Sequence, residues 1–219
     1  MKIELGTVRE SPYVGIFCLA TEKRVFVPKS LSKKEEKKLS ELFGVELVKA
    51  SIANSSLLGV LATANSKGLI VGSIVEEREE KELEQAGIKV SKLEGITAVG
   101  NLLAANDSRG IYSGIISEKQ VKKIEKCLGV KLMNATIAGS DVVGASIVAT
   151  NKGFLLNKMA GENEAEKIEK HFGIQGAKAT ANAGDTFLGN SIVANSEAAL
   201  AGSATTGFEL ARIDEGLRG

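Results

Sequence analysis

The sequence predicts an α+β fold, a closed ring of five α/β units with strands inside and helices outside. Three observations carry this. A glycine followed by an apolar run recurs at Gly15, Gly59, Gly100, Gly144 and Gly189, at intervals of 44, 41, 44 and 45 residues. Recurrence at a fixed period is architecture before it is chemistry. After each glycine the order of elements repeats, and the last unit lacks a returning strand that the first residues of the chain can supply.

The elements follow in order. Behind each glycine runs IFCLA, VLATA, NLLAA, ASIVA or NSIVA, a stretch of strand length and too continuously apolar to keep one wet face. A polar turn comes next, at Thr21 to Lys23, Asn65 to Lys67, Asn106 to Arg109, Asn151 to Lys152 and Asn195 to Glu197. Short polar side chains there bond the local backbone, so each unit begins as a hairpin. The second hairpin strand (VFVP, LIVG, IYSG or FLLN) leads into a charged helix. Ser32 with Glu35 and Ser117 with Gln120 have capping-box spacing, and Gly44, Gly87, Gly129 and Gly173 end these helices. Leu39 with Phe43, Ile124 with Leu128 and Ile168 with Phe172 are i,i+4 pairs that dock one helix face inward. In the second unit Leu83 and Ala86 are expected to make that contact.

A returning strand then leads to the next glycine. The residues MKIELGTVRESPYV before Gly15 match it, Ile3 falling on Leu47 and Val8 on Ile52, whereas the fifth unit has only its hairpin and a short helix around Phe208 to Leu217. An open solenoid carries polar caps at its ends. Here the ends complete each other, so residues 1–219 are expected to form one domain.

Composition narrows the function. With 28 Lys+Arg against 27 Asp+Glu the net charge is +1, which gives little general attraction for nucleic acid. Two cysteines make neither a disulfide framework nor a four-cysteine metal site, and no run of 18 apolar residues occurs, so a reducing, cytosolic location without membrane contact is expected. Phosphate-loop and nucleophile-elbow motifs are absent. The repeat assigns His171 to the helix position of Leu42, Gln85 and Cys127, and Cys18 to the strand position of Ala62, Leu103, Ile147 and Ile192. Asp107, Asp141 and Asp185 are connection residues. These assignments predict no catalytic, metal or cofactor site.

The functional surface is then a ring face. One rim gathers Asn65, Asn106, Asp107, Arg109 and Asn151; the other gathers the connections into each glycine, including Asn54, Ser55, Ser140 and Asp141, with Asn101 and Asn190 just beyond. Small polar side chains suit a protein partner more than bare RNA, which calls for a basic stripe interleaved with aromatics.

The segments VKASIANSSLLG (Val48 to Gly59), AVGNLLAANDSRG (Ala98 to Gly110) and VVGASIVATNKG (Val142 to Gly153), set in five degenerate units, resemble the archaeal and eukaryotic translation initiation factor 6 family in its short archaeal form. The resemblance covers the whole chain and implies a pentein fold, a five-fold pseudosymmetric α/β propeller. It implies a factor that binds the large ribosomal subunit, chiefly a ribosomal protein near the sarcin-ricin loop with limited rRNA contact, and sterically blocks joining of the small subunit. No turnover, cofactor or small-molecule substrate is expected. An Asn after the third unit's glycine, Asn101 here, faces the ribosome in eukaryotic relatives; Val60 stands where those relatives resemble a basic residue. Asn101, Asn54, Ser55, Ser140, Asp141 and Asn190 are the expected contact residues. The alternatives are a guanidine-modifying enzyme of the same fold, with Cys and His at the axis, or a scaffold for another macromolecule.

Overall fold

The computed structural model describes residues 1–219 and consists of five three-stranded sheets arranged as the repeat predicts. In each sheet an antiparallel hairpin is joined by a parallel return strand. In the first unit Leu19–Ala20 pairs with Arg24–Pro28, which pairs in parallel with Glu46–Ala50. The fifth sheet is completed by Lys2–Gly6, parallel to Ala198–Gly202 with Ile3 opposite Ala199. Ile3 thus holds the place that Leu47, opposite Val25, holds in the first unit.

Five outer helices, Lys33–Phe43, Glu77–Gln85, Glu118–Leu128, Glu162–Phe172 and Gly207–Arg218, clad the ring. None is long and apolar enough to cross a membrane. Gly44, Gly129 and Gly173 close three of them in the left-handed conformation that glycine adopts without a Cβ penalty. Ser32 forms a full capping box with Glu35. At Ser117 the bonds run to Gln120, whose side-chain oxygen accepts from the Ser117 N–H and hydroxyl.

The core is divided among the seams between units. One buried cluster joins Val48 and Ile52 of unit one to Leu69 and Leu83 of unit two; the next joins Ile70 and Leu93 to Leu103 and Ile124. Ile111 and Ile137 pack with Phe154 and Ile168, and Leu155 and Ala179 with Leu188 and Ile213. Val193 and Leu200 of the last unit pack with Val14, Val25 and Leu39 of the first. Every unit buries its apolar surface against both neighbours, and burial is the main favourable term in folding.

Three expectations need correction. The apolar runs are not strands from their first residue: Val14–Phe17, Leu58–Leu61, Val99–Leu102 and Leu188–Ser191 are single helical turns, and the strands begin only at Leu19, Ala62, Leu103 and Ile192. The fourth hairpin turn begins at Thr150, not Asn151, because the Thr150 hydroxyl accepts from the N–H groups of Lys152 and Gly153. Ala86 is exposed, and the second helix docks through Leu83 with Ile88 just beyond it.

These four helical turns, with a non-helical turn at residues 143–146 in unit four, place the five opening glycines around the axis. A Cβ on Gly15 would lie 2.0 Å from the carbonyl oxygen of Gly189; on Gly59, 1.8 Å from that of Gly15; on Gly100, 1.9 Å from that of Gly59. Gly144 stands in the same relation to Gly100 at 2.0 Å, and Gly189 to Gly144 at 2.6 Å. The contacts run through all five units and return to the first. This collar tolerates no side chain, which answers why the repeat opens on glycine.

Candidate functional site

The ring has two unlike rims. The hairpin rim also carries the helix C-termini, and its polar groups bond to one another. Position six after each glycine, occupied by Thr21, Asn65, Asn106, Thr150 and Asn195, is buried and turns the hairpin through its side-chain oxygen, as when Asn106 Oδ1 accepts from Ser108 and Arg109 N–H at 2.9 and 2.8 Å. The next position links neighbouring units. Ser66 N–H and hydroxyl donate to Asp107 at 2.8 Å each; Asp107 N–H donates to Asn151 Oδ1 at 3.0 Å; Asn151 N–H reaches Ser196 Oγ at 3.2 Å; Ser196 N–H reaches the Glu22 carboxylate at 3.1 Å. Burial works against ionisation of Asp107, but the hydrogen bonds from Asn151 and Ser66 and the charge of Lys67 outweigh it and hold its pKa below the ordinary value. Asn65, Asn106, Asp107 and Asn151 are thus occupied in holding this rim together.

The opposite rim, here the collar rim, carries the collar, the helix N-termini and the connections into each glycine. Four connections are tight turns closed by an isolated bridge: Val8 with Ser11, Ile52 with Ser55, Ile137 with Ser140 and Ala181 with Asp185. The enclosed residues lie at positive φ: Arg9 and Glu10 at 53° and 63°, Ala53 and Asn54 at 54° and 55°, Ala138 and Gly139 at 53° and 71°. Two successive left-handed residues make the type I′ geometry that favours Asn-Gly. Arg, Glu and Ala are poor residues there, each costing on the order of 1 kcal/mol, so the surroundings must hold them.

Those surroundings are the third residues of the outer helices. Glu35 accepts from Arg9 N–H at 2.7 Å; Glu79 from Ala53 and Asn54 N–H at 2.6 and 2.9 Å; Glu164 from Ala138 N–H at 3.1 Å; Glu209 from Ala183 and Gly184 N–H at 3.2 and 2.8 Å. The same carboxylates accept from the backbone at the start of their own helices, at Ser32, Glu76, Gly161 and Thr206. Burial opposes the charge of Glu79 and Glu209. Bonds from Ser51, Asn54, Glu76 and Ala53 to the first, and from Thr206, Thr180 and Gly184 to the second, still hold both pKa values below the ordinary ones. In the third unit Gln120 stands in this place and donates its amide to Glu94 O at 2.8 Å. The sequence offers the helix-capping half of this pattern; the partner turn lies 25 or more residues away, as for Asn54 and Glu79, and has no local signal.

All six expected contact residues lie on the collar rim. Asn54 is exposed, at the tip of its turn. Ser55 and Ser140 close theirs, their hydroxyls accepting from Leu57 and Val142 N–H at 3.2 and 3.3 Å, and Asp141 beside Ser140 is exposed. Asn101 and Asn190 stand in the helical turns of the collar, half-buried. The Asn101 carbonyl accepts from Gly144 N–H at 2.9 Å across a seam, and its side-chain amide has no partner within the chain.

Sequence reasoning missed the apolar component of this rim. Tyr13, Leu57 and Phe187, each two residues before an opening glycine in three successive units, are exposed by 45%, 36% and 38%. Ile74, Ile115 and Met159 are exposed at the strand-to-helix turns of units two, three and four. Phe208 and Leu5 complete the exposed large apolar set, and none of the eight comes from a hairpin or a helix C-terminus. The repeat register, which aligns Tyr13 with Leu57 and Phe187, is the signal that points to them.

The three side chains an enzyme would need lie apart. Cys18 is buried in the core between units five and one, and burial, with the nearby charge of Glu35, pushes its thiol up to about 12. Cys127 packs against the unit-two sheet, its sulfur 3.6 Å from Lys89 O, and burial raises its pKa. His171 sits on unit three with Nε2 2.9 Å from Gly110 O. A thiol held in its protonated form is a poor nucleophile. The axial cavity, about 110 Å³, is lined mainly by small and apolar residues of the strands and by the five collar glycines.

The chain is a five-unit ring with a glycine collar and its exposed large apolar side chains on one rim, and its family can be stated. The eIF-6 family model matches residues 3–216, and the chain belongs to that family of translation initiation factors. It is 43% identical to translation initiation factor 6 of Methanocella arvoryzae over 94% of this chain and 93% of the relative. It is 40% identical to that of Pyrococcus furiosus, and 34% to that of Pyrococcus horikoshii, over 99% of both chains in each comparison. Among solved structures, a mutant DDAH of Pseudomonas aeruginosa complexed with citrulline overlaps with a TM-score of 0.45 at 16% identity, covering 74% of this chain and 68% of that one. A dimethylarginine dimethylaminohydrolase adduct with S-methyl-L-thiocitrulline overlaps with a TM-score of 0.43 at 14% identity, covering 94% and 73%. Neither overlap bears on this chain's chemistry, which its own side chains decide.

Proposed function

We propose that the protein binds the large (50S) ribosomal subunit through its collar rim and sterically prevents association with the small (30S) subunit, acting in initiation and in large-subunit maturation without catalytic turnover. The observation that carries this reading is the one-sided distribution of exposed apolar side chains. Exposed apolar side chains gathered on one rim mark that rim as an interaction face, and aromatic residues such as Tyr13 and Phe187 are the side chains that anchor protein interfaces. The partner is a ribosomal protein surface near the sarcin-ricin loop, with limited rRNA contact: Asn54, Ser55, Asn101, Ser140, Asp141 and Asn190 supply directional hydrogen bonding between and beyond the apolar anchors. Bonds between adjacent turns already engage much of the hairpin rim, which leaves it facing away from the subunit. Blocking then needs only bulk: a stiff ring held on the intersubunit side occupies space the small subunit requires. The site is cytoplasmic and takes no cofactor or small molecule.

The test is a sedimentation experiment in which purified large subunits are offered small subunits with and without the protein. Co-migration with the large subunit and a fall in joined particles are expected. Failure to bind, or binding with no fall in joining, overturns the proposal.

A further inference from the structure

We infer that Glu79 is a positioning residue for the collar rim, holding the turn that displays Asn54 and Ser55 in the shape that engages the partner; the inference rests on the binding role proposed for that rim. Ala53 and Asn54 both stand at positive φ between the bridged residues Ile52 and Ser55. Nothing in Ala53 favours that conformation, and only a fixed acceptor on the far side of the turn selects it. Glu79 is 1% exposed and aims one carboxylate oxygen at each of the two N–H groups, at 2.6 and 2.9 Å. Asn54 is held further by Glu76, which accepts from its side-chain amide, and by Arg78, 3.5 Å from its Oδ1. Three side chains at one helix start, making four contacts, therefore fix the display angle of one turn on the neighbouring unit.

The third unit shows that the chemistry follows the turn rather than the helix. There a backbone carbonyl, Glu94 O, faces the helix start instead of N–H groups, and the residue in the place of Glu79 is Gln120, whose amide donates to it at 2.8 Å. An amide in place of Glu79 would turn a donor toward a donor, leaving one part-buried N–H of the turn without its acceptor. A turn held in its bound shape before encounter loses less entropy on binding, so the carboxylate acts on affinity as well as on the seam.

The test compares full-length protein with Glu79→Gln, with Glu79→Gln combined with Ala53→Gly, and with Asp107→Asn on the hairpin rim. Thermal unfolding, amide hydrogen exchange and affinity for purified large subunits are measured for each. Glu79→Gln is expected to lose exchange protection locally at Ala53 and Asn54 and to bind about tenfold more weakly or worse. Asp107→Asn is expected to lower thermal stability with unchanged affinity. Adding Ala53→Gly removes the steric cost of positive φ, so it restores folding stability without restoring affinity, and it keeps the test open should Glu79→Gln alone fold poorly. Wild-type protection of the turn and wild-type affinity in the Glu79→Gln protein overturn the inference, as does an affinity loss that merely tracks thermal stability across all three variants. If the wild-type protein binds no large subunit, the binding proposal fails, and the exchange measurement alone decides whether Glu79 holds the turn.

Discussion

Glycines with the same one-letter code do two different jobs here, and their substitutions separate accordingly. Gly44 is left-handed at a helix end with open space where a Cβ would go, whereas a Cβ on Gly59 would sit 1.8 Å from Gly15 O. Ala at Gly44 is expected to cost about 1 kcal/mol, the price of the left-handed conformation. Ala at Gly59 must push two units apart and is expected to cost about 3 kcal/mol or more, lowering Tm by roughly 6–12 °C in a domain of this size. Thermal unfolding of the two variants side by side checks the contrast, and equal shifts would remove the collar from the account. Asn101 belongs to the opposite case. Its backbone serves the scaffold through Gly144, but its amide is uncommitted, so Asn101→Arg is expected to weaken large-subunit binding while leaving Tm nearly unchanged. Parallel losses of stability and binding would assign the side chain to the scaffold.

At the scale of elements, the turns are closed by carboxylates or short polar side chains, and this links stability to pH. Asp107, Glu79 and Glu209 have folded-state pKa values below their ordinary ones. Their contribution is therefore complete above the ordinary carboxylate range near pH ~4 and is lost as pH falls through the depressed folded values. Acid unfolding followed by circular dichroism should show a fall in stability between about pH 5 and about pH 2, and the fall should be shallower in Glu209→Gln, which has one titrating carboxylate fewer. A curve of the same steepness in that variant would mean the Glu209 carboxylate is not linked to folding. The turns also show what local sequence can and cannot report. Asn65 and Asn106 are legible as turn formers because the reach of their side chains is local. Thr150 is masked by the adjacent Asn151, although its hydroxyl makes the same bonds. The collar turns are masked too, since four residues are too few to display a helical period against an apolar background.

The ring itself was legible because a period survives degeneration of the residues that carry it: Ile3 and Leu47 share a place in the repeat, and the structure pairs them with Ala199 and Val25 at equivalent points of two sheets. Choosing between the rims was less so. Polar connection residues are spread over both faces, and what distinguishes the faces is the unit-to-unit chain of bonds along the hairpin rim and the emergence of Tyr13, Leu57 and Phe187 on the collar rim; the repeat aligns these three, but their exposure is set by three-dimensional packing. Closure has a consequence for the whole molecule. Because each buried cluster spans a seam, removing one strand deprives two units of packing. Deletion of Met1 to Leu5 strips four of the five paired positions from Ala198–Gly202 and exposes its edge. It also removes Met1 and Ile3 from the cluster around Ala199 and Ile213. An open repeat array would lose one edge and unfold from that end. A closed ring is expected instead to lose stability throughout, with a single transition at lower temperature and hydrogen-exchange protection falling in all five sheets, including the third, which the deleted strand never touches. Protection lost only in the fifth sheet and its neighbours, with the third unchanged, would show that the units unfold independently and that closure adds no cooperativity.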